Sequence, residues 1–309
     1  MNSIFKDYID EFIKYKRCNG YNYISEEVNL KNFDKYLSKN ITELKLTKDI
    51  IHNFIDNKNC KNSTKSIYAS VIRDFCKYLV LFHNIDAYIT KDKSYFRKYD
   101  FEPYIYSDKE IINFFNAIDL LNNNIRKNDL KLIFEILYCT GLRISECLNI
   151  KVNNINTINN SIKIINTKNN VDRVIVINEN LMAKILSHKS NNSDYLFMNP
   201  YTNKVYTRMI IHVQFLKILN LANIKRYKNG PTIHGFRHTF AVKSFIKAIN
   251  DDRDLNEFLP YLSTYLGHKS LEATEKYLRL IPRELSKIRE QMETLNIIPK
   301  IEGDGKYEE

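Results

Sequence analysis

The sequence predicts a mainly α-helical protein with a small β-sheet, built as a four-helix N-terminal domain followed by a larger domain of mixed α and β. Three observations lead there. Apolar residues recur at helical spacing over most of the chain. Only 7 glycines and 6 prolines interrupt the 309 residues, which suits long helices with few tight turns. A single segment, 161–177, alternates apolar and polar residues with a period of two. The length itself is a prior for about two domains.

In chain order, Ile4, Tyr8, Ile9, Phe12 and Ile13 place a first helix over 2–18. A second is expected over 25–38, with Ser25 at its start and Glu26 and Glu27 in its first turn. Thr47 opens a third, carrying Ile50, Ile51, Phe54 and Ile55. Ser63 and Thr64 precede a fourth from Ser66 to Phe82, carrying Ile67, Val71, Phe75, Tyr78 and Leu79. These four make a small helical domain over 1–90. The stretch 91–106 is basic and aromatic, contains Pro103 and has no clean period, so it is expected to link two domains.

The second domain is expected over 107–296. Ser107 caps a helix at 108–120, with Asp108 and Glu110 in its first turn. A helix at 128–140 follows, then a break at Thr140-Gly141 and a helix at 143–150. SIKIINTKNNVDRVIVI reads as a hairpin with Lys168 at its tip. Helices return at 179–188, 207–222, 235–249, 256–266, 271–278 and from Pro282 to near Leu295, before a polar tail at 297–309.

Composition narrows the function. Lys+Arg 47 against Asp+Glu 36 gives a net charge of +11, in a chain whose 44% hydrophobic and 27% charged residues are an ordinary globular balance. No run of about 18 apolar residues exists to span a membrane. The first residues, MNSIFKDYIDEFIKYKR, lack a signal-peptide core, and a cytoplasmic location is expected. The five cysteines are scattered without CxxC or zinc spacing. They are expected to be reduced and mostly packed, with Cys139 and Cys147 in leucine-like settings. No glycine-rich phosphate loop is present.

Four groupings could carry chemistry. In TGLRISE, Arg143 and Glu146 share a helix face, an arrangement that also fits an ordinary surface ion pair. Lys168 sits in a turn, where most lysines are merely solvated. In HGFRH, His234 and Arg237 begin a helix and suit a phosphate. His234 and His238 form instead an i,i+4 pair that could hold a metal, but without the acidic residue of the zinc-hydrolase pattern. Leu266-Gly267-His268 closes a helix, and Ser270 caps the next, which carries Tyr277, by default a packing tyrosine.

Taken together, the order Arg, Lys, His-x-x-Arg, Leu-Gly-His, Tyr over residues 143 to 277 resembles the tyrosine recombinases, the phage-integrase family. The matching strings are TGLRISE, IINTKNNVDRVIVI, HGFRHTFA and STYLGHKSLEATEKYLRL. The resemblance covers the catalytic half and extends more loosely to the helical half, which it implies is a core-binding domain ahead of a tyrosine-recombinase catalytic domain. It implies that Arg143 and Arg237 clamp a scissile phosphate and that Lys168 is the general acid for the departing 5′ oxygen. His234 would assist proton transfer, His268 would donate a hydrogen bond to the phosphate, and Tyr277 would attack it. Glu146 would orient an arginine. Two departures stand out: Pro260 in NEFLPYLSTYLGH is expected to break or shift the helix leading to His268, and TKNNVDRV lacks the Gly-Lys common at the family's lysine.

The implied chemistry suits these groups. Two guanidinium forks neutralise phosphate charge, so neither a cofactor nor a metal is called for. A phenol nucleophile stores the broken bond as a phosphotyrosine. The resemblance further implies a site-specific recombinase or integrase, like compact mobile-element integrases or chromosome-resolving Xer-type recombinases. Its partner would be double-stranded DNA, cut through a 3′-phosphotyrosine and exchanged through a Holliday junction by a homotetramer. Accessory DNA-bending or directionality factors would be further partners, and a membrane would not. Candidate backbone contacts are Lys14, Lys16, Arg17, Lys65, Arg73 and Lys77, with Lys91, Lys93, Arg97 and Lys98 in the linker. The competing expectations are a type IB topoisomerase-like relaxation enzyme and a non-catalytic DNA-binding regulator on the same fold.

Overall fold

The computed structural model describes residues 3–90, 103–121, 127–165, 172–189, 193–227 and 229–281. The chain divides into two compact units, Met1–Asp100 and Phe101–Glu309.

The first unit holds α1 (Lys6–Cys18), α2 (Ile24–Asn40), α3 (Lys48–Asp56) and α4 (Asn62–His83). Their apolar stripes meet in a core of Phe12, Leu30, Phe33, Phe54, Phe75 and Leu79, each at most 2% exposed. Thr47 accepts the Ile50 N–H and caps α3 as its sequence indicates. Three starts differ from expectation. Helix α1 begins at Lys6 and buries Phe5, while Ile4 precedes the first turn and is exposed. Helix α2 is opened not by Ser25 but by Tyr23, held at φ 47 with no side-chain cap. Helix α4 starts at Asn62, and its buried stripe through Ile72, Phe75, Cys76 and Leu79 leaves Ile67 exposed on the flank.

The second unit opens with α5 (Asp108–Asp119), where Ser107 and Glu110 form a reciprocal capping box. Then come α6 (Lys127–Thr140), the short α7 (Ile144–Leu148) and a 3-10 turn at Val152–Asn154. An antiparallel sheet follows in the order β1 (Ile155–Asn156), β2 (Ser161–Ile164), β3 (Arg173–Val176). Ile162 faces Ile175 across it, and Ile164 faces Arg173. Helix α8 (Glu179–His188) precedes a second small sheet, β4 (Met198–Asn199) with β5 (Lys204–Val205). The chain then runs through α9 (Arg208–Leu221), α10 (Ile233–Asn250), α11 (Leu255–Leu266) and α12 (Glu272–Leu278).

Phe236 of α10 packs on Phe114 of α5 and Phe134 of α6, with ring centroids 5.1 and 5.6 Å away. Tyr106 stacks on Phe236 and donates its N–H to Thr239 Oγ1 at 2.9 Å, so the end of the stretch expected to be a linker is part of this core. The remainder, 91–102, lies outside the described residues, as do Lys91, Lys93, Arg97, Lys98 and everything from Pro282 onward.

Helix α11 runs unbroken through Pro260, against the expectation of a break. The missing proline N–H forfeits one ladder bond, but Leu255, Leu259, Leu262 and Leu266 stay buried on one face and hold the helix together. Ser270 does not cap α12; its hydroxyl turns to Glu272. Cys76 and Cys147 are buried as expected of packed thiols, whereas Cys139 is exposed, on the outer side of the last turn of α6. Among the described residues no helix is long and apolar enough to cross a membrane.

Candidate active site

Helix α10 supplies the centre of the site. Thr232 caps it by accepting the Gly235 N–H at 3.0 Å. A Cβ at Gly235 would stand 2.8 Å from the Tyr106 ring, so glycine is what lets the helix start dock there. One turn on, Arg237 is 1% exposed. Its Nη1 donates to Gly141 O at 2.9 Å and its Nη2 to Leu266 O at 2.7 Å, so the guanidinium plane is fixed by the carbonyls that end α6 and α11. Burial and the Arg143 charge bring its pKa down to about 10, which leaves it charged at neutral pH.

Arg143 stands at the start of α7. Its Nη1 donates to Glu146 Oε1 at 2.8 Å, its backbone N–H to Glu146 Oε2 at 3.0 Å, and its Nη2 to Gly267 O at 3.3 Å. Burial alone would raise the Glu146 carboxyl. The hydrogen bonds and charges of Arg173 and Arg143 outweigh it and hold the acid at about 2.

Gly267 ends α11 at φ 70, in the left-handed region that favours glycine, and turns the chain so that His268 points back into the site. His268 Nδ1 pairs with Thr274 Oγ1 at 2.7 Å. Its ring stacks near Tyr277, with centroids 6.1 Å apart and planes 21° off parallel. Tyr277 is 5% exposed, and its hydroxyl lies 3.0 Å from Nδ1 of His238. Burial pushes the phenol up, while the Arg237 charge, a hydrogen bond from Arg237 and the Arg143 charge pull it down.

Burial, then the surrounding cations and imidazoles, lowers His238 and His268 to about 3. His234 is lowered to about 4 by burial and by the Arg237 and Arg143 charges. All three rings are therefore neutral near pH 7, each with one N–H and one lone pair. A phenol ringed by two guanidiniums and three neutral imidazoles suits attack on an anion that the arginines hold.

Of the residues singled out from the sequence, Arg143, Glu146, His234, Arg237, His268 and Tyr277 converge from α7, α10, α11 and α12. Lys168 lies outside the described residues, on the connection from β2 to β3. Ile165, at the described edge of that connection, lines an open cleft with Arg143, Lys151, Arg208 and His234. His234 and His238, the metal pair considered above, meet edge to face with centroids 4.5 Å apart. Among the described residues no group of three metal-ligating side chains is assembled.

Sequence reasoning missed two participants. His238, which the sequence suggests only as a metal ligand, is the ring that touches the phenol. Arg173 is the second. It is buried on β3 and donates Nη1 and Nη2 to the two Glu146 oxygens at 3.2 and 2.8 Å, and Nε to Tyr265 O at 2.8 Å. A signal existed: in Arg173-Val-Ile-Val the alternation puts Arg173 on the same inward face as Ile175, where a cation requires a buried acid.

The basic residues of the first unit divide. Lys14 and Lys77 are exposed. Lys16 pairs with Asp74 at 3.1 Å and Arg17 with Glu27. Lys65 donates to Asp56 O and Arg73 to Thr90 O, both at 2.8 Å.

Comparison with known proteins places these features. The model of the phage integrase family matches residues 109–283. The "Probable integrase/recombinase protein MJ0367" of Methanocaldococcus jannaschii is 26% identical over 322 residues, covering 96% of this chain and 90% of that protein. The XerH site-specific recombinase bound to palindromic difH substrate, a post-cleavage complex, superposes with a TM-score of 0.64 at 21% identity, over 88% of this chain and 78% of that one. A lambda integrase tetramer bound to a Holliday junction gives 0.62 at 15% identity, over 85% and 77%. At such identities the two structures speak to the fold.

Proposed function

The chain belongs to the phage integrase family, and from that premise we propose that Tyr277 is the nucleophile with which it cuts and rejoins DNA strands. It is a tyrosine-type site-specific DNA recombinase with double-stranded DNA as its partner. The observation that carries the assignment of the nucleophile is the setting of the Tyr277 hydroxyl, 3.0 Å from His238 and within the fields of Arg237 and Arg143.

In this mechanism Arg237 and Arg143 clamp the non-bridging oxygens of the scissile phosphate, and His268 adds a hydrogen bond. The Tyr277 oxygen attacks phosphorus, the bond to the 5′ oxygen breaks, and Lys168 protonates that oxygen as it leaves. The phenol proton passes to the imidazole pair His238 and His234, whose basicity rises once the bound anion offsets the arginine charges. The 3′-phosphotyrosine is then attacked by the 5′ hydroxyl of a partner duplex, which restores the tyrosine and the strand. Repeating the exchange on the second strands passes through a Holliday junction, on the model of the lambda integrase tetramer. Because Tyr277 is 5% exposed, its approach to a duplex requires α12 to shift about the turn at Gly267. Exposed Lys14 and Lys77 are proposed to meet the DNA backbone, and the chain to act in the cytoplasm beside the DNA it cuts.

The test is covalent capture. A nicked duplex whose cut fragment diffuses away traps the 3′-phosphotyrosine, and the wild-type chain should yield an adduct stable to SDS. Tyr277→Phe should bind the same duplex and yield none. An adduct that persists in Tyr277→Phe moves the nucleophile elsewhere. If the wild type relaxes supercoils but never joins two marked duplexes, strand exchange is not its activity.

A further inference from the structure

Resting on the recombinase mechanism above, we propose that Arg173 is a positioning residue for DNA cleavage, sharing the Glu146 charge with Arg143 and bracing the segment that carries His268. Three contacts support it. Both terminal nitrogens of Arg173 face the two carboxylate oxygens of Glu146 in an end-on fork. Glu146 is the same acid that Arg143 touches with its Nη1 and its backbone N–H. Arg173 Nε reaches Tyr265 O in the last turn of α11, and a Cβ placed on Gly267 would stand 2.8 Å from Arg173 Nη1. One side chain thus joins β3, the start of α7 and the turn before His268.

The electrostatic logic follows from the sharing of Glu146. A buried carboxylate with one cationic partner gives that partner its full charge. Arg143 has to offer donors to a phosphate, and an undivided Glu146 would compete with the phosphate for them. With Arg173 sharing the carboxylate, Arg143 keeps its orientation from the acid but surrenders less of its charge. Arg173 also begins β3, so the same bond ties the start of that strand to the acid that orients the catalytic arginine. Nothing in packing alone calls for this. Ile164, its partner across the sheet, and Ile175, its neighbour on the inward face, are both buried apolar side chains.

The probe is a nicked duplex selected by covalent capture on the wild-type chain from a pool with a randomised core. Single-turnover adduct formation, duplex affinity and thermal melting are measured together. Arg173→Met should slow cleavage by about a hundredfold, the scale of losing one oriented donor group. Adding Glu146→Gln should recover about tenfold of that, because the unshared charge disappears. Arg173→Lys keeps the charge but loses the fork, and should cleave about tenfold more slowly than wild type with unchanged affinity.

Wild-type rates in Arg173→Met, or a double variant no faster than Arg173→Met, overturn the proposal. If Arg173→Met does not fold, Arg173→Lys decides, and a wild-type rate there overturns it equally. A wild-type chain that captures no member of the pool instead refutes the recombinase mechanism itself.

Discussion

Replacing Arg237 by lysine tests the geometry of the site while keeping its charge. In the folded chain the guanidinium spans two carbonyls, Gly141 O at 2.9 Å and Leu266 O at 2.7 Å, from a position only 1% exposed. A lysine ammonium can satisfy one of them. The other is left buried without a donor, at a cost of about 1–3 kcal/mol in folding stability. In cleavage, the lost fork removes one oriented donor from the phosphate, worth about 10²–10³ in rate. Urea unfolding reads the first effect and single-turnover adduct formation the second. If Arg237→Lys unfolds at the wild-type midpoint and cleaves within a factor of about three, charge rather than the spanning fork is what the site uses, and the mechanism as drawn is wrong.

Acid should weaken the fold in two windows. His238 and His268 are lowered to about 3 from 6.5, so their contribution is complete above 6.5 and lost progressively as pH falls from there towards 3. Glu146 is lowered to about 2 from 4.5, so its contribution is complete above 4.5 and lost as pH falls towards 2. The melting midpoint should therefore drop steadily from about pH 6.5 to about pH 2, and less steeply in His238→Gln between about pH 6.5 and about pH 3; a flat profile contradicts the buried neutral imidazoles. Gly267→Ala forces a side chain into φ 70 and against Arg173, and should cost about 1–2 kcal/mol in urea unfolding and slow cleavage as well. Lys14→Ala and Lys77→Ala should each weaken duplex binding regardless of sequence and flatten its salt slope by about one unit, read by titration at several salt concentrations.

The catalytic half was legible because its reactive residues sit at short, fixed offsets within helices. His234 and Arg237 lie three apart after a Thr232 cap, and Gly267 marks a helix end just before His268. The contacts that organise those residues were less legible because they join distant parts of the chain. Nothing local to His238 announces a tyrosine 39 positions away. Arg173 could have been found from strand alternation, but its partner Glu146 belongs to a different element, and pairing them needs the fold. The paired strands β1, β4 and β5 are two residues each, too short for any period to show. Polarity alone does not locate a helix start: Ser25 and Ser270 have the chemistry of caps, but the backbone places Tyr23 and Leu271 at those positions.

The grip on Arg237 comes from main-chain oxygens, and this bears on how the protein tolerates inherited change. No codon substitution deletes a peptide carbonyl, so the two anchors survive any replacement at residues 141 and 266 that keeps the local path of the chain. Vulnerability shifts to the contour of that path. At Gly141, with φ 62, a methyl group would press to 2.6 Å from the Phe240 ring. Drift in this lineage is thus free to alter what surrounds the guanidinium, but not the bend that delivers the first of its two oxygens.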